Sequence, residues 1–503
     1  MAVVASHPSV FEHANGRSAA DVMRAVARYV PLLAVIGAVV GVHVPTLSYF
    51  FFGDDFLVLG DIQTRTFPQY MRDVFLLEDL TPNWRPLTMA VYWAEFQLFG
   101  FDATAWRIVN LAVHAATIVV LYQFVLALTK RVFVATAAAL IFGLSASAVH
   151  TVTYITAFPH VLSEFFLISS LYLLHCYVDG GERRAGLYWL SFVAYVAGFL
   201  SNEGGAVMGV ALAMYYALYA LPRRRDALDL VVKMTPFALA GGLMVALLAG
   251  SGKQGVDTGF YSFGWHIARE TWVYLARLAY PVGQIPLDPA ALEWTVGSIV
   301  LGAAAFFLVR GPHIARIGAV AMVVALMPYT PGKIWTATRY TYMALPFFAI
   351  LVAVAAGFVH HHIARWYAPL AHLLATAALV AVGVSYAWQT TDQTEPFLEE
   401  TERWELLARE LKDAYPTVPA GETVWVIDDE GLWTNPFWQP TWMTSVGRAL
   451  YGDDVSVRAI APEHLPALED AIDGDMYVVE LSNGHLLRVS PATVTQRLGQ
   501  QQD

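Results

Sequence analysis

The sequence of 503 residues holds a single cysteine, Cys176, and few charges: Asp, Glu, Lys and Arg make up only 14% of it. One cysteine excludes an internal disulfide and a cysteine-ligated metal cluster. A soluble globular chain carries about 25% charged residues, so the shortage of charge excludes a chain folded wholly in water. There is no Gly-rich phosphate loop after the first strand-like run of the tail, which argues against a nucleotide site there. No fixed-period repeat is present. What replaces charge is apolar surface: 57% of the residues are hydrophobic, the mean hydropathy is +0.50, and 15 Trp, 24 Tyr and 28 Phe supply interfacial anchors.

A bilayer core takes about 20 apolar residues per helix. On that measure the sequence predicts about eleven spans, at 29–52, 106–128, 132–150, 160–178, 187–201, 204–221, 231–250, 292–309, 317–330, 341–359 and 367–388. Residues 1–28 are mixed and polar, and the run that follows is long enough to span, so it reads as a signal anchor. Basic residues alternate between loops: Arg17, Arg24 and Arg28, then Lys130-Arg131, Arg183-Arg184, Arg223-Arg224-Arg225, Arg310 with Arg316, and Arg365. All fall on one side if the N-terminus is cytoplasmic. The expected organisation is a cytoplasmic segment 1–28, a transmembrane domain 29–391 with a first extracytoplasmic loop at 53–105, and an extracytoplasmic domain 392–503. The cationic loops and alanine-rich composition are compatible with a bacterial inner membrane.

The net charge of -11 is uneven. Residues 392–503 hold 21 acidic against 7 basic side chains, while the remainder holds 20 against 23. An acidic tail argues against nucleic acid as a partner. The tail reads as a small α/β domain: a charged helix at 395–415, strands at 424–427, 455–460 and 476–481, and helices near 436–451 and 462–472. In the first loop, 69–80 and 93–101 are half-polar and suit short interfacial helices. Residues 265–280, with Trp265, Trp272, Leu275 and Leu278 at helical spacing, suit a helix turned toward the membrane.

The chemistry-bearing residues gather at the extracytoplasmic ends of spans. Asp54-Asp55 follows the first span, in Phe52-Gly-Asp-Asp-Phe56. Carboxylates at headgroup depth are costly unless solvated or paired, and glycosyl transfer with inversion needs a base beside the acceptor hydroxyl. The other reading is a pair of acids capping a membrane helix. Arg85 suits phosphate through its fork of donors, or anchors the interface. Asn110 and His114 share a helix face and suit interhelical hydrogen bonds. His150, Glu203, Lys333 and Arg339 lie on the same side as Asp54. His360-His361-His362 points in three directions from a helix on the cytoplasmic side and reads as interfacial. Asp428-Asp429-Glu430 ends a strand and reads as a solvated loop.

These pieces, in order, resemble the GT-C superfamily of membrane glycosyltransferases, and within it the proteins related to protein O-mannosyltransferases, including the tetratricopeptide-bearing ones. Phe52-Gly-Asp-Asp-Phe56 is similar to their acidic first-loop motif. Trp84-Arg-Pro-Leu87 and Trp106-Arg-Ile-Val-Asn-Leu-Ala-Val-His114 resemble their Arg-Pro to Asn-Leu-x-x-His stretch. Val149-His-Thr151 resembles their His-Thr turn, Ser201-Asn-Glu203 their Ser-Lys-Glu, and Arg339-Tyr-Thr-Tyr342 their late Arg-Tyr-x-Tyr. The resemblance spans residues 45–345. It implies a GT-C-like polytopic α-helical membrane fold and transfer of a sugar, mannose or another hexose or pentose, from a polyprenyl-phosphate donor. The acceptor is left open among protein, lipid and cell-envelope glycan. Asp54 is then the favoured base, with Asp55 supporting it or binding a divalent cation, while Arg85, His150, Glu203, Lys333 and Arg339 line the donor or acceptor site. Asn202 stands where the family has Lys, and the tail lacks the tetratricopeptide period. A polytopic transporter, or a glycolipid flippase or binding protein without transferase activity, is the rival class. Transporters place ionisable groups at the midplane and show repeated halves, whereas here the charges cluster at one face.

Overall fold

A backbone in lipid must satisfy its own hydrogen bonds, so long apolar runs bounded by polar turns become helices. The computed structural model describes residues 23–503 apart from 24–25, 77–83, 225–226, 251–261, 280–288, 333–337, 429, 434–438, 453, 463, 465–476, 483–484, 491, 495 and 497–503. It is a polytopic helical bundle with a small C-terminal sheet. Among the described residues seven helices are long and apolar enough to cross a membrane, or eight if one bent pair counts as a span.

Helix α1 (Val30–His43) runs into a 3-10 turn, Val44–Ser48. The first loop then folds into three short helices, α2 (Asp55–Thr64), α3 (Phe67–Leu76) and α4 (Pro86–Phe99). The long α5 (Ala103–Thr129) starts where the Asp102 carboxylate accepts the free N–H groups of Thr104 and Ala105. After it come α6 (Val132–Leu144), α7 (Ala146–Thr153), α8 (Phe158–Asp179) and α9 (Ala185–Ser201). A 3-10 turn at Glu203–Met208 leads to α10 (Gly209–Tyr219), followed by the short α11 (Leu221–Arg224) and by α12 (Ala227–Gly250). The bundle closes with α13 (His266–Ala279), α14 (Pro289–Arg310), α15 (His313–Leu326), α16 (Leu345–Ala364) and α17 (Ala368–Ala414).

Each expected span falls on helical structure, but three differ in form. The run 132–150 is two helices, α6 and α7, bent by 55° at Ser145. Ser145 leaves helical geometry, and its hydroxyl accepts the Ser147 N–H to start a new helix. The run 204–221 begins as the 3-10 turn rather than as a continuous helix. The run 367–388 does not stop at the expected domain boundary of 391/392: it continues through Pro396 into the tail as one 47-residue helix, the expected helix 395–415 being its second half. Short apolar helices, α9 and α15, account for the spans at 187–201 and 317–330. In α13 the buried stripe is Val273, Tyr274, Leu275 and Leu278, while Trp265, counted into that stripe from its spacing, is 94% exposed.

Packing is close where small residues face large ones. A methyl group on Gly198 of α9 would stand 2.7 Å from Leu167 of α8, and Ser170 and Ser191 exchange hydroxyl-to-carbonyl bonds of 2.8 Å across the same pair. Asn110 donates to the Thr151 and Val152 carbonyls, and His114 pairs with the Tyr342 hydroxyl and the Gly143 carbonyl. Both therefore make the expected interhelical bonds.

The tail forms a four-stranded sheet of order β2-β1-β3-β4, from β1 (Thr423–Asp428), β2 (Ser456–Ile460), β3 (Tyr477–Ser482) and β4 (His485–Val489). β1 pairs in parallel with β2 and β3, and β4 returns antiparallel on β3. The parallel β1–β2 step needs a crossover, which includes helix α18 (Gln439–Tyr451). The expected helix at 462–472 lies largely outside the described residues. The Tyr415 hydroxyl, one residue past α17, both accepts from the Val478 N–H and donates to the Val478 carbonyl, stitching the long helix to β3.

Candidate active site

Gly53 turns the chain out of the first span at φ +55°, a left-handed conformation that glycine adopts without strain. The turn sets two adjacent carboxylates at different depths. Asp55 enters α2 and is 1% exposed. Its Oδ2 accepts the Phe52 N–H at 3.2 Å and its Oδ1 accepts the Thr156 N–H at 3.0 Å, so the side chain ties the first loop to the turn after α7. Burial pushes its pKa up to about 7 against the pull of Arg107 and of these two amides. Asp54 is half-buried. Its N–H donates to the Tyr154 hydroxyl at 2.9 Å, and its Oδ1 accepts the indole N–H of Trp442, from α18 of the tail, at 2.9 Å. Among the described residues Asp54 Oδ2 takes no hydrogen bond.

Tyr154 is the hub beside Asp54. Phe52 stacks on its ring at 4.6 Å between centroids and His150 at 5.4 Å, while Phe397 of α17 stacks on His150 at 5.3 Å. The Arg339 guanidinium lies 5.8 Å from the Tyr154 ring and 5.3 Å from the Tyr340 ring. Burial pulls this guanidinium down, but Tyr340, Tyr154 and Asp54 more than offset it, so it stays charged. Among the described residues no carboxylate reaches Arg339 within ion-pair distance.

Tyr340 stacks on Tyr329 at 4.9 Å, and the Tyr329 hydroxyl donates to Asn202 Oδ1 at 3.1 Å and lies 3.4 Å from His160 Nδ1. One residue on, Glu203 takes both arms of the Arg85 guanidinium, at 2.8 Å from Nε and 3.0 Å from Nη2. Burial favours loss of the Arg85 proton, but Glu203 more than offsets this and holds the guanidinium charged, its pKa raised on balance. A chain of contacts thus runs from Asp54 through Tyr154, Arg339, Tyr340 and Tyr329 to Asn202, beside the Glu203–Arg85 pair.

The structure brings Asp54, Asp55, Arg85, His150, Glu203 and Arg339 into this one region, while Lys333 lies outside the described residues. Among the described residues no group of three His, Cys, Asp or Glu side chains is arranged to hold a metal. Both Asp55 oxygens are committed to main-chain amides, so the donor set fits a divalent cation poorly. On the far side, His360 bonds to His372 and stacks on Phe133. Asp428, expected in a solvated loop, is instead buried at the end of β1, because its carboxylate accepts the Leu432 and Trp433 N–H groups.

Four participants were not singled out in the sequence. Trp442 is 388 residues from Asp54 and carries no local signal. Tyr329 and Tyr340 look like ordinary interfacial aromatics. Arg107 was readable, as an ion inside a 27-residue apolar helix. It is 1% exposed and donates to the Phe50 carbonyl at 2.7 Å beside Asp55.

No protein-family model matches the chain, and no curated protein matches it in sequence. Solved structures resemble it in shape. The apo oligosaccharyltransferase of Archaeoglobus fulgidus aligns over 86% of this chain and 64% of its own at 13% identity, with a TM-score of 0.50. This chain therefore spans less than two thirds of that protein. ArnT from Cupriavidus metallidurans, apo, aligns over 87% of this chain and 86% of its own at 14% identity and a TM-score of 0.49. The same protein bound to undecaprenyl phosphate gives 86%, 86%, 13% and 0.49. The likeness is one of fold: the chain shares the polytopic helical fold of that oligosaccharyltransferase.

Proposed function

We propose that the protein transfers a sugar from a polyprenyl-phosphate donor to a hydroxyl of a protein, lipid or cell-envelope glycan acceptor, at the extracytoplasmic face of a bacterial inner membrane. The observation that carries this reading is Asp54: a half-buried carboxylate with one oxygen held by Trp442, the other without a hydrogen bond, and the Arg339 cation close enough to feel its charge. Asp54 Oδ2 takes the proton of the acceptor hydroxyl as its oxygen bonds to the anomeric carbon. The bond from that carbon to the phosphate oxygen breaks, and the polyprenyl phosphate leaves with the electron pair. Arg339 is the favoured counter-charge for that phosphate, because the Arg85 fork already holds Glu203. Arg85 and Glu203 fix the turn after α9 against the first loop. Asp55 anchors the base by its two amide bonds rather than sharing the proton transfer.

The test is purified protein in liposomes supplied with polyprenyl-phosphate hexoses and pentoses, with envelope-glycan mass spectrometry on cells with and without the protein. Asp54→Asn abolishes transfer at normal expression and folding. Unchanged glycans, or substrate flux across the membrane that survives Asp54→Asn, refutes the transferase and favours a transporter.

A further inference from the structure

We infer that the C-terminal domain completes the active site, with Trp442 as a positioning residue that holds the Asp54 base through its indole N–H. This rests on the assignment of Asp54 as the base. Three independent contacts carry it. The indole Nε1 donates to Asp54 Oδ1 at 2.9 Å, and atoms of the same ring lie 3.7 and 3.8 Å from the point where a side chain on Gly53 would begin, so both the donor and the bulk of Trp442 define the turn. Trp404 of α17 packs on Trp442 edge-on at 6.1 Å, which fixes the ring from behind. The helix that carries Trp442 is itself bolted to the first loop: Arg448 Nη1 meets Asp61 Oδ1 at 3.1 Å, and its Nη2 donates to the Thr64 hydroxyl at 3.1 Å. Gly60 of α2 allows this approach, since a methyl group there would stand 3.1 Å from the Ser445 carbonyl. Helix α18 is therefore locked to α2 by its second turn and its C-terminal half.

A donor on one carboxylate oxygen does two things. It stabilises the ionised, proton-accepting form, and it orients the carboxylate so that the opposite oxygen is presented for reaction. The sheet domain, which otherwise has no chemistry in this reading, becomes the source of that donor. Arg448 acts one step further back, by holding the helix.

The experiment compares full-length wild type, Trp442→Phe and Arg448→Met in liposomes. Phe keeps a ring against Trp404 and removes the indole N–H, together with part of the ring bulk beside Gly53. Its expected effect is a kcat about tenfold lower near neutrality and an acid limb of the pH–rate profile moved up by about 1 unit, with the donor KM unchanged. Arg448→Met shifts both in the same direction but less. A merely structural tryptophan leaves the pH profile in place, and that result overturns the proposal. A readout without turnover separates this failure from failure of the transferase reading: carbodiimide-driven labelling of Asp54, measured by peptide mass spectrometry at one fixed pH. Labelling rises several-fold in Trp442→Phe if the indole stabilises the carboxylate, whether or not the sugar donor has been identified. Equal labelling in wild type and variant refutes the positioning role even if transfer is observed.

Discussion

Replacing Asp55 by Asn separates two accounts of the buried carboxylate. The variant keeps one acceptor oxygen but sets an NH2 group against a main-chain N–H, because both native oxygens receive amides, from Phe52 and Thr156. One bond is lost at every pH, at a cost of about 1–3 kcal/mol. The second effect depends on pH. Burial raises the wild-type group from 3.8 to about 7 in the folded protein, so the folded state binds the proton more tightly than the unfolded chain. The associated stability is complete below pH 3.8 and is lost as pH rises through 7, by about 4 kcal/mol over that window. Asparagine has no such term. Wild type is therefore the more stable form at pH 4.5, and the difference shrinks and reverses by pH 8. Unfolding of detergent-solubilised wild type and variant, compared at each pH so that other groups cancel, measures the gap. A gap that widens with rising pH would mean that Arg107 wins over burial and holds Asp55 ionised, and the reasoning would fail.

Other substitutions probe the frame of the site. Gly53→Ala forces a side chain into φ +55° with the Tyr154 hydroxyl 3.2 Å away; it costs about 1–2 kcal/mol in unfolding assays and slows transfer by displacing Asp54. Glu203→Gln leaves the Arg85 charge without its counter-ion and destabilises the protein by about 2–4 kcal/mol, and adding Arg85→Met recovers part of that loss in a double-mutant cycle read by thermal unfolding. Gly204→Ala places a methyl 2.7 Å from the Tyr329 hydroxyl, costing about 1–3 kcal/mol; Tyr329→Phe in the same chain relieves most of it, and additive losses would contradict the contact.

The spans were legible because lipid leaves a chain little freedom: a long apolar run must be a helix, and each expected run is helical. The break at Ser145 was harder, since the residues on both sides are apolar and only the cap geometry shows where one helix stops. The boundary expected at 391/392 falls inside a helix that passes on through Pro396, because a proline removes one hydrogen bond without forbidding its neighbours'. At the site, Arg85 with Glu203 and Asp54 with Arg339 could be gathered on one side from charge placement. The difference between Asp54 and Asp55 could not, because it follows from the Gly53 turn and from groups at positions 154, 156 and 442.

The 47 residues of α17 make a rod of roughly 70 Å, longer than a bilayer is thick. It acts as a ruler that sets the height of the sheet domain above the lipid and as a spindle that sets its heading. Each inserted residue would turn everything beyond it by about 100°, carrying Trp442 away from Asp54 with no side chain of the site having been replaced. The sequence of this helix is thus constrained in length as well as in composition, and the stretch around Pro396 is where the count matters most.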